Sequence, residues 1–343
     1  MAAFYMSTQA KGPGYVTVPG SVTLNNANPT ATISLADATG SVSAVSSDTD
    51  VATVAISGNS LVITGVSTGN VTVTLNIAES ERYSAGTKEI AVTSNIASLV
   101  SWSTGTDAEI KAMVDAYYDG TFSLEDIKSV WNVGDEREVS LSAMAATGVG
   151  ESHVAQTVKF VIMNFGGKKL TSDGTTDVLA IVGQKNLLAN DTSGEVGYMN
   201  SSNTNNGGWN SCARRTWCNS VYKNAVPETL RTIFKEFNNV TANGSSTTTA
   251  TSADYFALPS EKEVFGSTTY ANATAEASNS QFSYYATSAN RIKRYGESGS
   301  AGSWWERSPS SGTSSYFCGV RSDGGARYDS ASSSFGLAPF GCI

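Results

Sequence analysis

Between residues 15 and 93 apolar and polar residues alternate in short runs broken by Gly, Asn, Asp and Ser. Val71, Val73, Leu75 and Ile77 alternate with Thr72, Thr74 and Asn76, the period of a strand with one buried face. Residues 31–35, 51–56, 61–64 and 88–92 repeat the pattern, about ten or more residues apart, a spacing typical of all-β folds. The pattern predicts a β-sandwich over residues 1–97.

From residue 98 the period changes. Thr106 and Glu109 form a capping-box pair, followed by Ile110, Met113, Val114, Tyr117 and Tyr118 at helical spacing and closed by Gly120. Residues 123–131 predict a second short helix with Leu124, Ile127 and Val130 on one face, so 98–128 reads as a helical connector. Strands follow at 137–141, 157–164 and 177–182, then an Asn/Ser/Gly loop at 190–208. A helix over 209–222 turns Ala213, Trp217 and Val221 inward. Another begins at Pro227, with Leu230, Ile233, Phe234 and Phe237 as its buried stripe. Residues 238–253 read as a Thr/Ser/Asn loop, and the final third as short strands and long turns. The expectation is an all-β domain followed by an α+β domain over 129–343.

Composition narrows the partners. The 343 residues suit about two domains. Charged residues are 15% of the chain against a usual level of about 25%, while 40% are apolar, enough for a core. With 22 basic and 30 acidic residues the net charge is −8, which argues against nucleic acid as a partner. No run of about 18 apolar residues predicts a membrane-spanning helix. Residues 1–15 show neither the basic nor the apolar region of a signal peptide, so none is expected.

Several phrases carry a resemblance. VATVAISGNSLVITGVSTGNVTVTLNIA is similar to a bacterial Ig-like domain of the group 2 kind, a module that serves as a spacer or dock. Further on stand WNVGDEREVSL, GGWNSCARRTWCNSVYKNAVPETLRTIF, DYFALPSEKEVFG and QFSYYATSANRIKRYG. They end in SWWERSPSSGTSSYFCGVRSDGGARYDSASSSFGLAPFGCI. Together they resemble the C-type-lectin-like domain of gut bacteria and their phages, related in fold to formylglycine-generating enzymes. The order of the two domains resembles the variable proteins of diversity-generating retroelements. In such proteins a retroelement rewrites adenines near the 3′ end of the gene, which here corresponds to residues 304–343. The resemblance implies a diversified binding surface on a phage tail-associated adhesin or a bacterial surface protein. Its ligand would be a host-cell surface protein or glycan, and the Ig-like domain would dock to a virion or cell-surface assembly. From Arg307 to Ile343 there is no Lys, Glu, Gln, Met or Trp, as rewriting of AAY codons requires; residues 12–78 lack the same five.

The tail has the composition of a contact surface in which Tyr and Arg anchor and Ser and Gly adapt. The candidate ligand-binding residues are Ser310, Ser314, Ser315, Tyr316, Arg321, Ser322, Asp323, Ala326, Arg327, Tyr328, Asp329 and Ser330. Trp304, Trp305, Phe335, Phe340 and Ile343 are expected in the core beneath them.

Catalysis is not expected. The one histidine, His153, lies beside Glu151 and Ser152 and reads as an incidental surface residue. Gly166 and Gly167 with Lys168 and Lys169 read as a turn with a solvated basic pair. The pairs Glu136/Glu138 and Glu261/Glu263 read as exposed faces. Cys212 and Cys218 sit about 9 Å apart along a helix, beyond the roughly 7 Å reach of a disulfide. Cys318 and Cys342 can pair across two strands, or all four stay as small buried thiols. The enzyme resemblance leaves an oxidase using Cys318 and Cys342 as the alternative function, and a structural spacer as a third. No cofactor is expected; a calcium ion held by Asp323, Asp329 and carbonyls is the one metal site left open.

Overall fold

A computed structural model describes residues 10–150, 152–189 and 197–343. The chain divides into two compact units, Met1–Val100 with Ala108–Phe122, and Ser101–Asp107 with Ser123–Ile343. The stretch 98–128, expected as a connector, is thus shared between them. The chain is mostly β, with 37% strand and 15% helix, and its small sheets are all open. Among the described residues no helix is long and apolar enough to cross a membrane.

The first unit contains β1 (Ser21–Asn25), β2 (Thr30–Ser34), β3 (Val42–Ser46), β4 (Ala52–Ser57), β5 (Ser60–Gly65), β6 (Gly69–Ile77) and β7 (Gly86–Asn95). They form one sheet in the order β1-β7-β6-β3 and a second in the order β2-β5-β4. β1 runs parallel to β7, and the remaining pairs are antiparallel. The inward residues Leu61 and Ile63 of one sheet and Val73, Leu75 and Ile90 of the other belong to one fully buried core. The alternation in β6 is therefore the trace of a strand half in this core. β1 and β3 show no clean apolar alternation: in β1 only Leu24 is fully buried, with Val22 half-covered, and in β3 Val45 is 59% exposed. Helix α1 (Asp107–Tyr118) buries Ile110, Met113, Val114 and Ala116.

In the second unit, α2 (Leu124–Lys128) starts from a capping box in which the Ser123 hydroxyl and the Asp126 carboxylate serve each other's backbone N–H. Then come β8 (Glu136–Leu141), β9 (Gln156–Phe165), β10 (Lys169–Leu170) and β11 (Ala180–Gln184). The expected helix at 209–222 is a 3-10 turn (Trp209–Ser211), α3 (Ala213–Trp217), a π-turn (Cys218–Tyr222) and α4 (Lys223–Ala225). The π-turn shifts the inward face to Arg214, Trp217, Cys218 and Tyr222, leaving Ala213 and Val221 only half-buried.

The next helix, α5 (Glu228–Arg231), is shorter than expected, and Phe237 opens a strand instead of completing a helical stripe. The supposed loop 238–253 is a hairpin, β12 (Phe237–Ala242) and β13 (Thr249–Asp254). Its inward positions are Asn239, Thr241, Ser252 and Asp254, so no apolar alternation marks it. Buried Asp254 accepts from Trp209 Nε1 (2.9 Å), Asn239 Nδ2 (2.9 Å) and the Ser252 hydroxyl (2.7 Å).

The chain continues through β14 (Phe256–Ala257), α6 (Glu261–Phe265), β15 (Lys293–Arg294) and β16 (Ala301–Gly302). It ends with β17 (Trp304–Pro309), β18 (Tyr316–Val320), β19 (Ala326–Ser330) and β20 (Phe340–Cys342). A five-stranded sheet takes the order β14-β20-β11-β9-β8, and β17-β18-β19 form a separate sheet of three. Trp304, Trp305, Phe335, Phe340 and Ile343 are all buried, as expected of large aromatics and the apolar C-terminus.

Candidate ligand-binding surface

The two strands of the terminal hairpin differ in what covers them. β17 is buried at all six residues, and β18 at Phe317 to Val320. β19 pairs only with β18, and its residues are exposed or half-exposed. Tyr316 stands opposite Ser330, Cys318 opposite Tyr328, and Val320 opposite Ala326, so these share one face of the sheet. Arg327 and Asp329 stand on the other. The candidate residues thus do not form one flat patch.

An open cleft of about 350 Å³ gathers part of the set: Arg321, Ser322, Asp323, Arg327 and Tyr328, with Ser303 and Tyr270. Tyr270 was not among the candidates. Its ring centroid lies 4.5 Å from that of Tyr328, which in turn lies 5.5 Å from Tyr316. Tyr328 is 42% exposed, so this cluster faces solvent. Tyr270 is 46 residues from Tyr316 along the chain (316 − 270), and no local pattern links them.

Buried groups fix where Tyr270 stands. The Glu261 carboxylate accepts from the backbone N–H of Thr269 (2.9 Å), Tyr270 (3.0 Å) and Ala271 (2.7 Å). The Tyr270 carbonyl accepts from Ser311 N (2.8 Å) and from the Ser311 hydroxyl (2.9 Å). Ser310 is itself buried, its N–H donating to the Tyr316 carbonyl at 2.9 Å. It therefore braces the surface, contrary to its expected role as a contact. Ser314 is exposed, its carbonyl accepting from Asn205 N (2.7 Å), while Ser315 bonds Thr313.

Arg327 is also less free than its type suggests. It donates to Asp329 (2.6 Å) and the Ser303 hydroxyl (2.8 Å), and its guanidinium lies 4.0 Å from the Phe335 ring centroid. Asp329 further accepts from Ser333 (2.8 Å), and Ser330 donates to Asn203 (2.7 Å). Arg321 and Asp323 are different: both are exposed, and among the described residues neither has an ion-pair partner. They flank Gly325, where an added Cβ would sit 3.2 Å from Asp323 Oδ1 and 3.8 Å from Arg321 Cδ. Gly324, at φ +85°, provides the left-handed turn between the strands.

Beneath the hairpin lies a charged core that the sequence reading placed on the surface. Glu261 and Glu263 are buried on α6, and Lys168 is buried rather than solvated. Glu263 is gripped by Arg307, with one contact at 2.7 Å, and by Lys168. Burial alone would raise the Glu263 carboxyl, but Arg307 and Lys168 beside it hold it down at about 2. Polar residues can fill this interior because Glu263 meets two cations there, while Glu261 accepts from backbone N–H groups and Glu276 from Asn279 and Ser308.

Glu306 is the exception. It is fully buried, and neither carboxyl oxygen has a hydrogen-bond partner. Burial, and then the charges of Glu261, Glu276 and Glu263, push its carboxyl well above the ordinary value of 4.5. The folded state therefore holds a proton that the unfolded chain releases, so the sign is the reverse of the usual carboxylate case. Its contribution to stability is complete below 4.5 and is lost as pH rises from there towards the elevated value. Urea unfolding at about pH 5 and about pH 9 should show the wild type losing stability relative to Glu306→Gln. Equal change in the two proteins would refute the assignment.

The four cysteines are free and buried, and burial pushes the Cys318 and Cys342 thiols well above their ordinary value. Cys318 is on β18 and Cys342 on β20, in different sheets. His153 is buried, not on the surface, with Nδ1 3.0 Å from the Ala189 carbonyl and its ring against Trp217; Glu151 and residues 190–196 lie outside the described residues. Among the described residues no three His, Cys, Asp or Glu side chains are grouped to hold a metal, and Asp329, one of the expected calcium ligands, is committed to Arg327.

The model of a family described as a domain of unknown function (DUF6273) matches residues 183–343. The match contains every residue lining the cleft and the Glu263–Arg307 pair, but not Lys168. No curated protein matches the chain.

Proposed function

We propose that the chain is a non-enzymatic binding protein in which an Ig-like module precedes a C-type-lectin-like domain, and that the β18–β19 hairpin with Tyr270 is its contact surface. The observation that carries the reading is the contrast across this hairpin. Exposed Tyr328, packed on half-exposed Tyr316 and Tyr270, and a turn carrying Arg321 and Asp323 without ion-pair partners among the described residues stand over a strand, β18, that is buried from Phe317 to Val320. Rigid aromatic anchors with planar charged groups are the residue types that dominate binding energy. The sequence resemblance makes this a phage tail-associated adhesin or bacterial surface protein with a diversified tail. Diversification would then fall on positions such as 321–323 and 328, and spare the buried Phe317, Gly319 and Val320. At Gly319 no other residue fits, since a Cβ would lie 2.8 Å from the Trp304 carbonyl oxygen.

Flow cytometry of labelled protein on candidate host cells tests the reading. Tyr328→Ala and Arg321→Ala should each weaken binding by about 1–2 kcal/mol. Their unfolding free energies should stay within about 0.5 kcal/mol of wild type. Unchanged cell binding by both variants would sink the proposal. Diversification has its own check in the neighbouring DNA, where a reverse transcriptase gene and a repeat differing at adenines are expected.

A further inference from the structure

Resting on the binding reading above, we propose that the cleft takes a neutral saccharide, stacked on Tyr328 and Tyr270 and hydrogen-bonded by Arg321 and Asp323, without a metal ion. The charge balance excludes a strongly ionic ligand. Arg327 is already neutralised by Asp329 at 2.6 Å, which leaves in the same cleft the Arg321 guanidinium and the Asp323 carboxylate, the latter accepting from Gly325 N at 3.0 Å, with no ion pair to either among the described residues. An anion drawn to Arg321 meets Asp323, and a cation drawn to Asp323 meets Arg321. A sugar suits both at once, because each hydroxyl both donates and accepts. Arg321 offers a fork of donors and Asp323 a pair of acceptors.

The tyrosines supply the other half of the recognition. The faces of their rings carry negative charge density, which attracts the weakly positive C–H groups along one side of a pyranose ring. The Tyr270 and Tyr328 rings pack on each other, centroids 4.5 Å apart and planes at 48°, and so form one aromatic platform whose exposed part is Tyr328, against which a sugar ring can lie. A peptide would find little for its apolar side chains, since the lining beyond the tyrosines is Ser303, Ser322, Arg321, Asp323 and Arg327. The volume, about 350 Å³, is at the small end of the roughly 300–1,000 Å³ found for ligand sites, which suits one or two sugar rings.

The test is a microarray printed with neutral gluco-, galacto- and manno-oligosaccharides, sialylated and sulfated oligosaccharides, and random peptides, probed with the full chain in EDTA. Binding to neutral saccharides is expected, reduced on the order of tenfold or more by Tyr328→Ala and by Arg321→Ala. Tyr328→Trp, which keeps an aromatic face, should retain it, and an unchanged urea midpoint in each variant shows that folding is intact. Binding confined to acidic saccharides or to peptides, and still dependent on Tyr328, overturns the saccharide and leaves the binding surface standing. Neutral binding indifferent to both substitutions overturns the cleft as its location. Neutral binding that appears only with calcium overturns the metal-free site. Silence on every spot overturns the saccharide inference, and the cell-binding assay then decides separately on the surface.

Discussion

Glu263→Gln is expected to destabilise the second unit by about 3–5 kcal/mol, measured as the urea unfolding free energy at neutral pH. The substitution keeps the shape but leaves Lys168 and Arg307 buried as two unpaired cations, each less than a tenth exposed. The α6 N-terminus suffers too, because the Glu263 carboxylate accepts from Ser260 N at 2.9 Å. Replacing Lys168, Glu263 and Arg307 together by methionine should cost less than Glu263→Gln alone, since no orphan charge remains. A triple variant at least as unstable as the single one would show that the charges stabilise beyond mutual neutralisation. The pH dependence follows the ordinary sign here. With its folded value depressed to about 2 from 4.5, Glu263 contributes fully above 4.5, and the contribution is lost as pH falls through about 2.

Trp304→Ala should cost a similar amount, roughly 3–5 kcal/mol, by leaving a large cavity. Trp304 is completely buried, donates from Nε1 to the Arg291 carbonyl at 2.9 Å, and stacks on Tyr285 at 6.0 Å. Its ring also lies 5.4 Å from the ammonium of Lys293, a buried lysine that burial lowers to about 7. Removing the ring therefore deprives a buried amine of a favourable face as well as opening space. Tyr328→Ala, two strands away in the same sheet, should leave the unfolding midpoint almost unchanged. If the two variants unfold alike, the division between core and contact surface is wrong.

Legibility in the sequence followed the kind of side chain that fills the interior. Where apolar residues do so, the chain announced its structure: the alternation of Val71 to Ile77 is β6, and Trp304, Trp305 and Phe340 are buried as their size demands. Where polar residues do so, it did not. Asn239, Ser252 and Asp254 face inward on β12 and β13, and that hairpin was invisible as a Thr/Ser/Asn stretch. Glu261, Glu263 and Lys168 read as solvated because charge usually lies outside; the pairing of Lys168 with Glu263 and the backbone N–H groups around Glu261 override that preference. The contact surface divided the same way. Tyr316, Arg321, Asp323 and Tyr328 stood out by composition, while Tyr270 joins them only through the turn that Glu261 holds.

By itself, then, the sequence determined the order of the two units, most strands of the first and the aromatic floor of the second. It also determined the Tyr, Arg and Asp content of the hairpin. Each of these rests on local periodicity or on the intrinsic cost of exposing a large apolar side chain. The tertiary structure alone decided that Arg327 and Ser310 brace the surface and that Arg321 and Asp323 face the cleft without an ion-pair partner among the described residues. It also decided that burial and the neighbouring carboxylates raise the Glu306 carboxyl. These depend on which partner each polar group meets in space, and no pattern of residue types along the chain names that partner.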